Sequence, residues 1–163
     1  MKKVFLLLSV IIIGFFSCKN QGGSDLFLFN NVSFTLQQDE KVSTITNIEK
    51  DKFFSYFNEQ APQIPIYKYI KTSTYTIYIA LPYNTTIQNF SNSDFLLCNR
   101  NTLTQVEDSV SHYNQYDCMG EFVSEYVVSL GGNIIYFLAS TPSEAIADSL
   151  FSLDAMKNRF ILK

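Results

Sequence analysis

The sequence predicts an α+β fold, a single domain with an antiparallel-rich sheet of about six strands and roughly two or three helices packed on it. The first observation is a series of runs rich in β-branched and aromatic residues, several of them joined in pairs by short turn signals. The second is a small number of segments whose apolar residues fall at helical spacing. The third is composition, because 47% hydrophobic and 15% aromatic residues are enough for a substantial core.

The first elements are predicted to be strands. Leu26–Phe29 and Val32–Leu36 are β-prone runs around Asn30-Asn31, and asparagine tolerates positive φ, so the pair is expected to form a tight hairpin. Val42–Ile48 alternates valine, threonine and isoleucine, which favours a further strand.

A helix and a second hairpin are predicted next. Asp51–Glu59 carries phenylalanines at helical spacing, and Pro62 and Pro65 are expected to end that helix. Ile66–Ile70 and Thr74–Leu81 are β-branched and aromatic runs separated by a short polar segment, which indicates two paired strands.

Four tyrosines crowd this second hairpin, namely Tyr67, Tyr69, Tyr75 and Tyr78. Tyrosine is enriched at protein interfaces, so one interpretation is an aromatic recognition face. The other interpretation is an ordinary half-buried sheet surface, because tyrosine packs well with one end in water.

The centre of the chain is predicted to hold a loop, a strand and a helix. Pro82–Ser93 is rich in asparagine, threonine and serine and is expected to be a long loop, a common binding element when a rigid sheet carries it. Phe95–Cys98 is predicted to be a strand. From Leu103 to Tyr113 apolar residues recur at helical spacing, and Thr104 and Glu107 stand three apart as in a capping box.

His112 is the only histidine, so acid–base chemistry near neutral pH would depend on it. On a helix over 103–113 it would point away from the apolar stripe toward water, and Asp108 could pair with it across one turn. The sequence has no G-x-S-x-G turn that would present a serine to this pair. We therefore expect an exposed surface histidine.

The carboxylates give no stronger sign of catalysis. Glu121 and Glu125 would lie about 13 Å apart on one strand face, whereas paired glycosidase carboxylates are about 5–9.5 Å apart. The sequence contains no glycine-rich phosphate loop, no H-E-x-x-H and no EF-hand spacing. We expect no enzymatic activity, no cofactor and no metal.

The C-terminal third has the clearest local signals. Phe122–Leu130 and Asn133–Ala139 flank Gly131-Gly132, a connection suited to a two-residue turn. The second of these arms is apolar on both faces, which predicts a strand in the middle of the sheet.

A capped helix and a last strand are expected to follow. Thr141 is predicted as the N-cap, Pro142 as the first helical residue and Glu144 as the capping-box acid. Phe160–Leu162 is predicted to add an edge strand. This strand–helix–strand ending resembles that of PsbP-type domains over about 30 residues, a resemblance that implies the fold alone.

The N-terminus has the features of a secretory signal peptide. Lys2 and Lys3 precede Val4–Phe16, a thirteen-residue run that is mostly apolar, and Ser17 is the small residue before Cys18. The run is shorter than the roughly 20 apolar residues that a membrane-spanning helix needs.

A cysteine directly after such a leader resembles the lipobox of bacterial lipoproteins, whose cysteine is acylated and becomes the new N-terminus. The aromatic Phe15, three residues before Cys18, resembles the relaxed lipoboxes of Bacteroidetes. The resemblance implies a lipid on Cys18, and Lys19 in place of aspartate favours the outer membrane, with the periplasmic face preferred to the surface. The alternative is an ordinary signal peptide whose first mature cysteine joins a disulfide.

These features predict the domain organisation 1–17 signal peptide, 18–24 lipidated cysteine and tether, and 25–163 globular domain. The mature chain would carry 10 basic and 15 acidic residues, a balance of −5 spread along the sequence. Nucleic-acid and anionic-lipid partners both require basic patches, so neither is expected, and the lipid is the expected membrane link.

Cys98 and Cys118 remain once Cys18 carries a lipid. An extracytoplasmic compartment and an even count favour a disulfide between them. Two buried free thiols and a metal site that includes His112 are the alternatives, although neither cysteine has a second ligand at close spacing.

Taken together, the residues predict a membrane-anchored extracytoplasmic lipoprotein that acts as a non-enzymatic binding or accessory protein in the cell envelope. One alternative is an inhibitor or immunity-type lipoprotein. The other is a hydrolase whose motif is not evident in the sequence; a pocket containing His112 or several convergent carboxylates would favour it.

Overall fold

Nine strands and four short helices make up the part of the chain that the computed structural model describes, which is residues 24–29, 31–91, 95–107 and 110–162, with backbone alone for 100–107. The strands are β1 (Asp25–Phe29), β2 (Val32–Thr35), β3 (Ile66–Lys71), β4 (Thr76–Ala80), β5 (Asn99–Glu107), β6 (Ser111–Cys118), β7 (Glu121–Leu130), β8 (Asn133–Thr141) and β9 (Phe160–Leu162). The helices are α1 (Asn47–Ser55), α2 (Ile87–Ser91), α3 (Glu144–Leu150) and α4 (Leu153–Lys157).

Six strands form the main sheet, in the order β3-β4-β8-β7-β6-β5, and every neighbouring pair is antiparallel. Gly131 and Gly132 both have positive φ in the turn from β7 to β8, which is the pattern of a two-residue primed turn. β8 lies inside the sheet, and its side chains are buried on both faces from Ile135 to Thr141. The predicted α+β class, the sheet of about six strands and the internal position of β8 are confirmed.

A second sheet covers one face of the main sheet. It has the order β1-β2-β9, so the predicted first hairpin and the predicted last strand pair with each other rather than with the main sheet. Phe34 from β2 lies 5.6 Å from Phe137 of β8 and 5.0 Å from Phe160 of β9, centroid to centroid. Phe151 and Met156, from the α3–α4 segment, are buried in the same core.

Helices α1 and α2 cover the opposite face. Phe53 of α1 packs against Tyr78 of β4, with ring centroids 4.9 Å apart. Phe90 of α2 packs in the same way against Tyr136 of β8, at 5.4 Å. Both sides of β8 are therefore buried in aromatic-rich cores.

The predicted helix over 103–113 is wrong, because this segment belongs to the β5–β6 pair. Val106 pairs with Tyr113 and Glu107 with His112 across the two strands. The buried side of β6 is largely polar, so apolar spacing is a poor guide there. A capping box exists instead at Thr46 and Glu49, where it starts α1 earlier than the predicted Asp51.

Three smaller predictions also need correction. Val42–Ile48 contributes one bridge, from Val42 to Ile70, instead of a strand. Phe95–Cys98 likewise contributes one bridge, from Leu96 to Phe57. The N-cap of α3 is Ser143, since Thr141 is the last residue of β8 and its hydroxyl donates to the carbonyl of Thr74.

A buried ion pair connects the C-terminal segment to the loop after β2. The guanidinium of Arg159 donates to Glu40, and both residues are buried. Glu40 also accepts from the Tyr75 hydroxyl at 2.9 Å and from the Gln37 backbone N–H at 2.8 Å. Arg159 lies over the ring of Phe34, with its Cζ 4.2 Å from the centroid, and burial lowers the pKa of its guanidinium despite the neighbouring carboxylate.

Replacing Glu40 with glutamine should lower the free energy of unfolding by about 3–5 kcal/mol, because it leaves the Arg159 charge buried without its counter-ion. Chemical denaturation followed by circular dichroism measures the change. Glu59→Gln is the matched control, since Glu59 is exposed, and it should change stability by less than about 0.5 kcal/mol. Equal effects of the two substitutions would contradict the structural role of the pair.

Candidate functional site

A cleft of about 220 Å³ opens beside the turn that joins β6 to β7. Three segments far apart in sequence form it: the second half of α1, the segment before β5 and the turn itself. Its lining residues are Lys52, Ser55, Tyr56, Leu97, Cys98, Cys118, Met119 and Glu121.

The rim of the cleft exposes two large apolar side chains. Met119 is 91% exposed and Leu97 is 58% exposed. Met119 and Gly120 are the two residues of the turn between Cys118 and Glu121, and their φ values are 52° and 85°. Two positive φ values are the pattern of a type I′ turn, which favours asparagine or glycine at both positions. A methionine there is conformationally unfavourable, and its side chain projects into water.

The floor of the cleft holds a charged and hydrogen-bonded trio. Lys52 Nζ lies 2.6 Å from Glu121 Oε1, and the Tyr56 hydroxyl donates to Glu121 Oε2. Burial alone would raise the pKa of the Glu121 carboxyl, but the hydrogen bonds from Lys52 and Tyr56 outweigh it and lower that pKa. Burial, and then the same carboxylate, raise the pKa of Tyr56. The trio is thus a lysine–glutamate ion pair with a neutral phenol beside it.

A disulfide between Cys98 and Cys118 forms one wall, with a Cα–Cα distance of 4.8 Å. The predicted bridge is confirmed. It joins the start of the β5 excursion to the end of β6, and Leu97 N also donates to the Tyr56 carbonyl at 2.7 Å. Leu97 is therefore held at the rim from both sides.

A second hollow of about 200 Å³ continues from the first, because Lys52 and Glu121 line both. Hydroxyl groups dominate its lining, together with Lys71. The hydroxyl-bearing residues are Thr72, Ser73, Thr74, Tyr75, Thr76 and Ser140. The Lys52–Glu121 pair thus separates an apolar hollow from a polar one.

The predicted tyrosine face does not exist as one surface. Tyr69 and Tyr78 are buried in the core under α1, whereas Tyr75 is buried in the core on the other side of the sheet. Burial raises the pKa of Tyr78 to about 12. Tyr67 alone of the four is exposed, at 43%. The interpretation as sheet-packing tyrosines applies to the other three, because β-strand alternation and the turn at 72–75 send them to opposite faces.

The expectation of an exposed His112 is also wrong. His112 lies on β6 and is fully buried. It takes part in a polar network inside the core. Its Nε2 is 2.7 Å from the Asn114 amide nitrogen and 3.5 Å from Glu125 Oε2. Two phenols complete the network, since Tyr116 and Tyr136 donate to Glu125 at 2.9 and 2.7 Å.

This network is placed inside the protein rather than in the cleft. None of its five members lines the cleft, and burial, followed by the Glu125 charge, raises the pKa of Tyr136 well above its usual value. Glu121 and Glu125 have separate surroundings, as their spacing on one strand predicts. The structure does not bring His112 together with a candidate nucleophile in the cleft.

The predicted Pro82–Ser93 loop contains α2, whose Ile87 and Phe90 are buried. α2 packs against β6 and β7, so this segment is more ordered than a free binding loop. Cys18, the leader, the tether and Asp108 lie outside the described residues, as do residues 92–94.

Sequence reasoning missed Lys52, Leu97 and Met119. A signal for the turn was available, because Met119-Gly120 is a two-residue connection ahead of a β-prone run. It becomes recognisable only when residues 111–118 are read as a strand. Lys52 and Leu97 carry no local signal at all.

Within the described ranges no three or more histidine, cysteine, aspartate or glutamate side chains are grouped so that they could hold a metal ion. Over the same part of the chain, no helix has the length and apolar character required to cross a membrane.

The sequence matches no protein-family model, and no curated protein matches it. The structure is similar to the solution structure of cyanobacterial PsbP (CyanoP) from Synechocystis sp. PCC 6803, with a TM-score of 0.49 and 13% sequence identity. The similarity covers 82% of this chain and 87% of that one. A likeness at this level carries no functional meaning.

Replacing Cys98 and Cys118 together with serine should lower the free energy of unfolding by about 3 kcal/mol, because the bridge closes a loop of 20 residues. Urea denaturation without reductant measures the loss, and reduced wild-type protein is the control that should show a similar loss. Thiol alkylation of unreduced protein should leave both cysteines unlabelled. Labelling of both would show that the bridge does not form in solution.

Proposed function

We propose that this protein is a lipoprotein of the cell envelope, anchored through Cys18, and that it acts as a non-enzymatic binding protein. The cleft at the β6–β7 turn is the proposed contact site for a protein partner. The leader, the small Ser17 and Cys18 support the anchor. The Cys98–Cys118 disulfide supports an oxidising, extracytoplasmic location, since cytosolic proteins rarely keep such bonds.

The exposed Met119 is the observation that carries the binding role. A large apolar side chain held 91% exposed in a left-handed backbone conformation costs stability on both counts. Such unfavourable conformations concentrate at functional positions. Methionine is also enriched at protein interfaces, and its flexible thioether adapts to varied partner surfaces.

The charges below Met119 give the proposed site its selectivity. Lys52 and Glu121 are each partly exposed, so a partner with one acidic and one basic group could pair with both. Leu97 and Met119 would supply the apolar contact beside that pair. The arrangement is a small interface with an apolar rim and a charged floor.

Glu121 is the one carboxylate among the residues that line the cleft, and Lys52 already pairs with it. This arrangement favours binding over hydrolysis, because paired-carboxylate hydrolysis needs a second acid close by. An inhibitor or immunity-type lipoprotein would use the same cleft, with the partner being an enzyme or toxin.

The anchor predicts that labelled palmitate enters the protein in cells and that Cys18→Ala abolishes the label. The alanine has no thiol to acylate, so the variant should be released or remain as precursor. The Cys98→Ser/Cys118→Ser variant is the control, and it should keep the label on Cys18. Equal labelling of wild type and Cys18→Ala would exclude this anchor.

The contact site predicts opposite effects of Met119→Asn on stability and on binding. Asparagine tolerates positive φ, so the free energy of unfolding should rise by up to about 1 kcal/mol. A photo-crosslinker at position 97 should capture a partner in cells, and Met119→Asn should remove that product because the apolar contact is gone.

Ile48→Asn is the matched control, because Ile48 is 81% exposed on α1 but does not line the cleft. It should leave crosslinking from position 97 unchanged. Crosslinked product that survives Met119→Asn would refute the role of the cleft.

A further inference from the structure

The outer face of the three-stranded sheet carries an apolar pair. Phe27 of β1 is the cross-strand partner of Ser33 of β2, and Ser33 is the partner of Ile161 of β9. Residues opposite each other in a sheet share one face. Their neighbours Leu28, Phe34 and Phe160 point to the core, so this row points away from it.

Exposure along this row is uneven. Phe27 is 61% exposed and Ile161 is 37% exposed, whereas Ser33 between them is fully buried. A small residue in the middle lets the two larger side chains close over it. The result is a continuous apolar ridge on the outside of the sheet.

The chain leads from this face to the proposed lipid within a short distance. Seven residues separate Cys18 from Asp25, the first residue of β1. Even fully extended they span about 25 Å, and a glycine-containing flexible segment spans about 15 Å on average. Phe27 lies two residues further on.

A tether of this length keeps β1 next to the bilayer. An attached group held by a short flexible linker experiences an effective concentration in the millimolar range. Even a weak apolar contact with lipid is then occupied much of the time, because only the orientation of the domain has to be restricted.

The composition of the face indicates which lipid surface it suits. Its outward residues are one acid, two hydroxyl residues and two apolar residues, namely Asp25, Ser33, Thr35, Phe27 and Ile161. Aromatic side chains partition favourably into the membrane interface. The acidic Asp25 and the acidic mature chain disfavour a strongly anionic surface.

We propose that the outer face of the three-stranded sheet docks on a zwitterionic phospholipid surface, with Phe27 and Ile161 inserted at the interface. This proposal rests on the proposed lipid anchor for its position in the cell. The docked domain has α1 on the side of the main sheet opposite the lipid.

The chain contains no tryptophan, which makes a single introduced tryptophan a specific reporter. Phe27→Trp and Ile161→Trp place it in the ridge. Tyr83→Trp is the matched control, because Tyr83 is an exposed aromatic residue whose hydroxyl bonds to Gln63 in the loop after α1. Far-UV circular dichroism and thermal unfolding select variants that fold, and two ridge positions guard against the loss of one.

The mature chain, residues 18–163, is coupled through the Cys18 thiol to a maleimide phospholipid in phosphatidylcholine vesicles. Cys18 is the reactive thiol because Cys98 and Cys118 are bridged. Chemical coupling removes any dependence on acylation in cells. Vesicles with brominated acyl chains then quench tryptophan that reaches the lipid.

We expect at least twofold quenching and a blue-shifted emission for tryptophan at position 27 or 161, and neither change at position 83. Vesicles with added anionic phospholipid should give no stronger quenching. Equal quenching at positions 27, 161 and 83 would overturn the docking proposal, as would quenching that requires anionic lipid. A blue shift that depends on protein density on the vesicle, without quenching, would overturn it in favour of contact between two copies.

The anchor and the docking face fail in distinguishable ways. If palmitate labelling of Cys18 fails in cells but tethered protein is quenched at position 27, the anchor is wrong and the docking face stands. If palmitate enters but neither ridge position is quenched, the anchor stands and the docking face is overturned.

Discussion

The structure depends on the burial of strand β8 on both faces. Ile135, Phe137 and Ala139 face one core, and Tyr136 and Leu138 face the other. Each large apolar side chain contributes about 1.5–3 kcal/mol when it leaves water. Neither face can be left open, so the chain has to supply two covering layers. The three-stranded sheet with α3 and α4 forms one layer, and α1 with α2 forms the other.

The buried polar network defines the part of the sheet that carries the cleft. Tyr116 and Tyr136 both donate to Glu125, so the network spans β6, β7 and β8. A shift of β6 by one residue would expose these groups and leave the buried Glu125 carboxylate without its donors, at a cost of several kcal/mol. The same register places Cys118 opposite Glu121 and leaves Met119 at the tip of the turn. The geometry of the cleft is thus a consequence of core polarity.

The two proposed surfaces lie on opposite sides of the main sheet. The cleft includes Lys52 and Tyr56 from α1, whereas the apolar ridge belongs to the three-stranded sheet beyond the other core. A domain docked through Phe27 would therefore keep α1 and the cleft directed away from the lipid. The two proposals agree with each other, since a site for a protein partner has to remain accessible while the anchor is in place.

The sequence by itself determined the elements that depend on neighbouring residues. Gly131-Gly132 between β-prone arms predicted the β7–β8 hairpin, because backbone preferences act locally. Cys98 and Cys118 predicted a bridge from their number and compartment. Only the tertiary structure decided that Tyr75 and Tyr78 face different cores and that residues 111–118 form a strand with a buried polar face. It alone brought Lys52, Leu97 and Met119 together, because long-range packing, unlike a turn or an alternating strand, leaves no periodic pattern in the sequence.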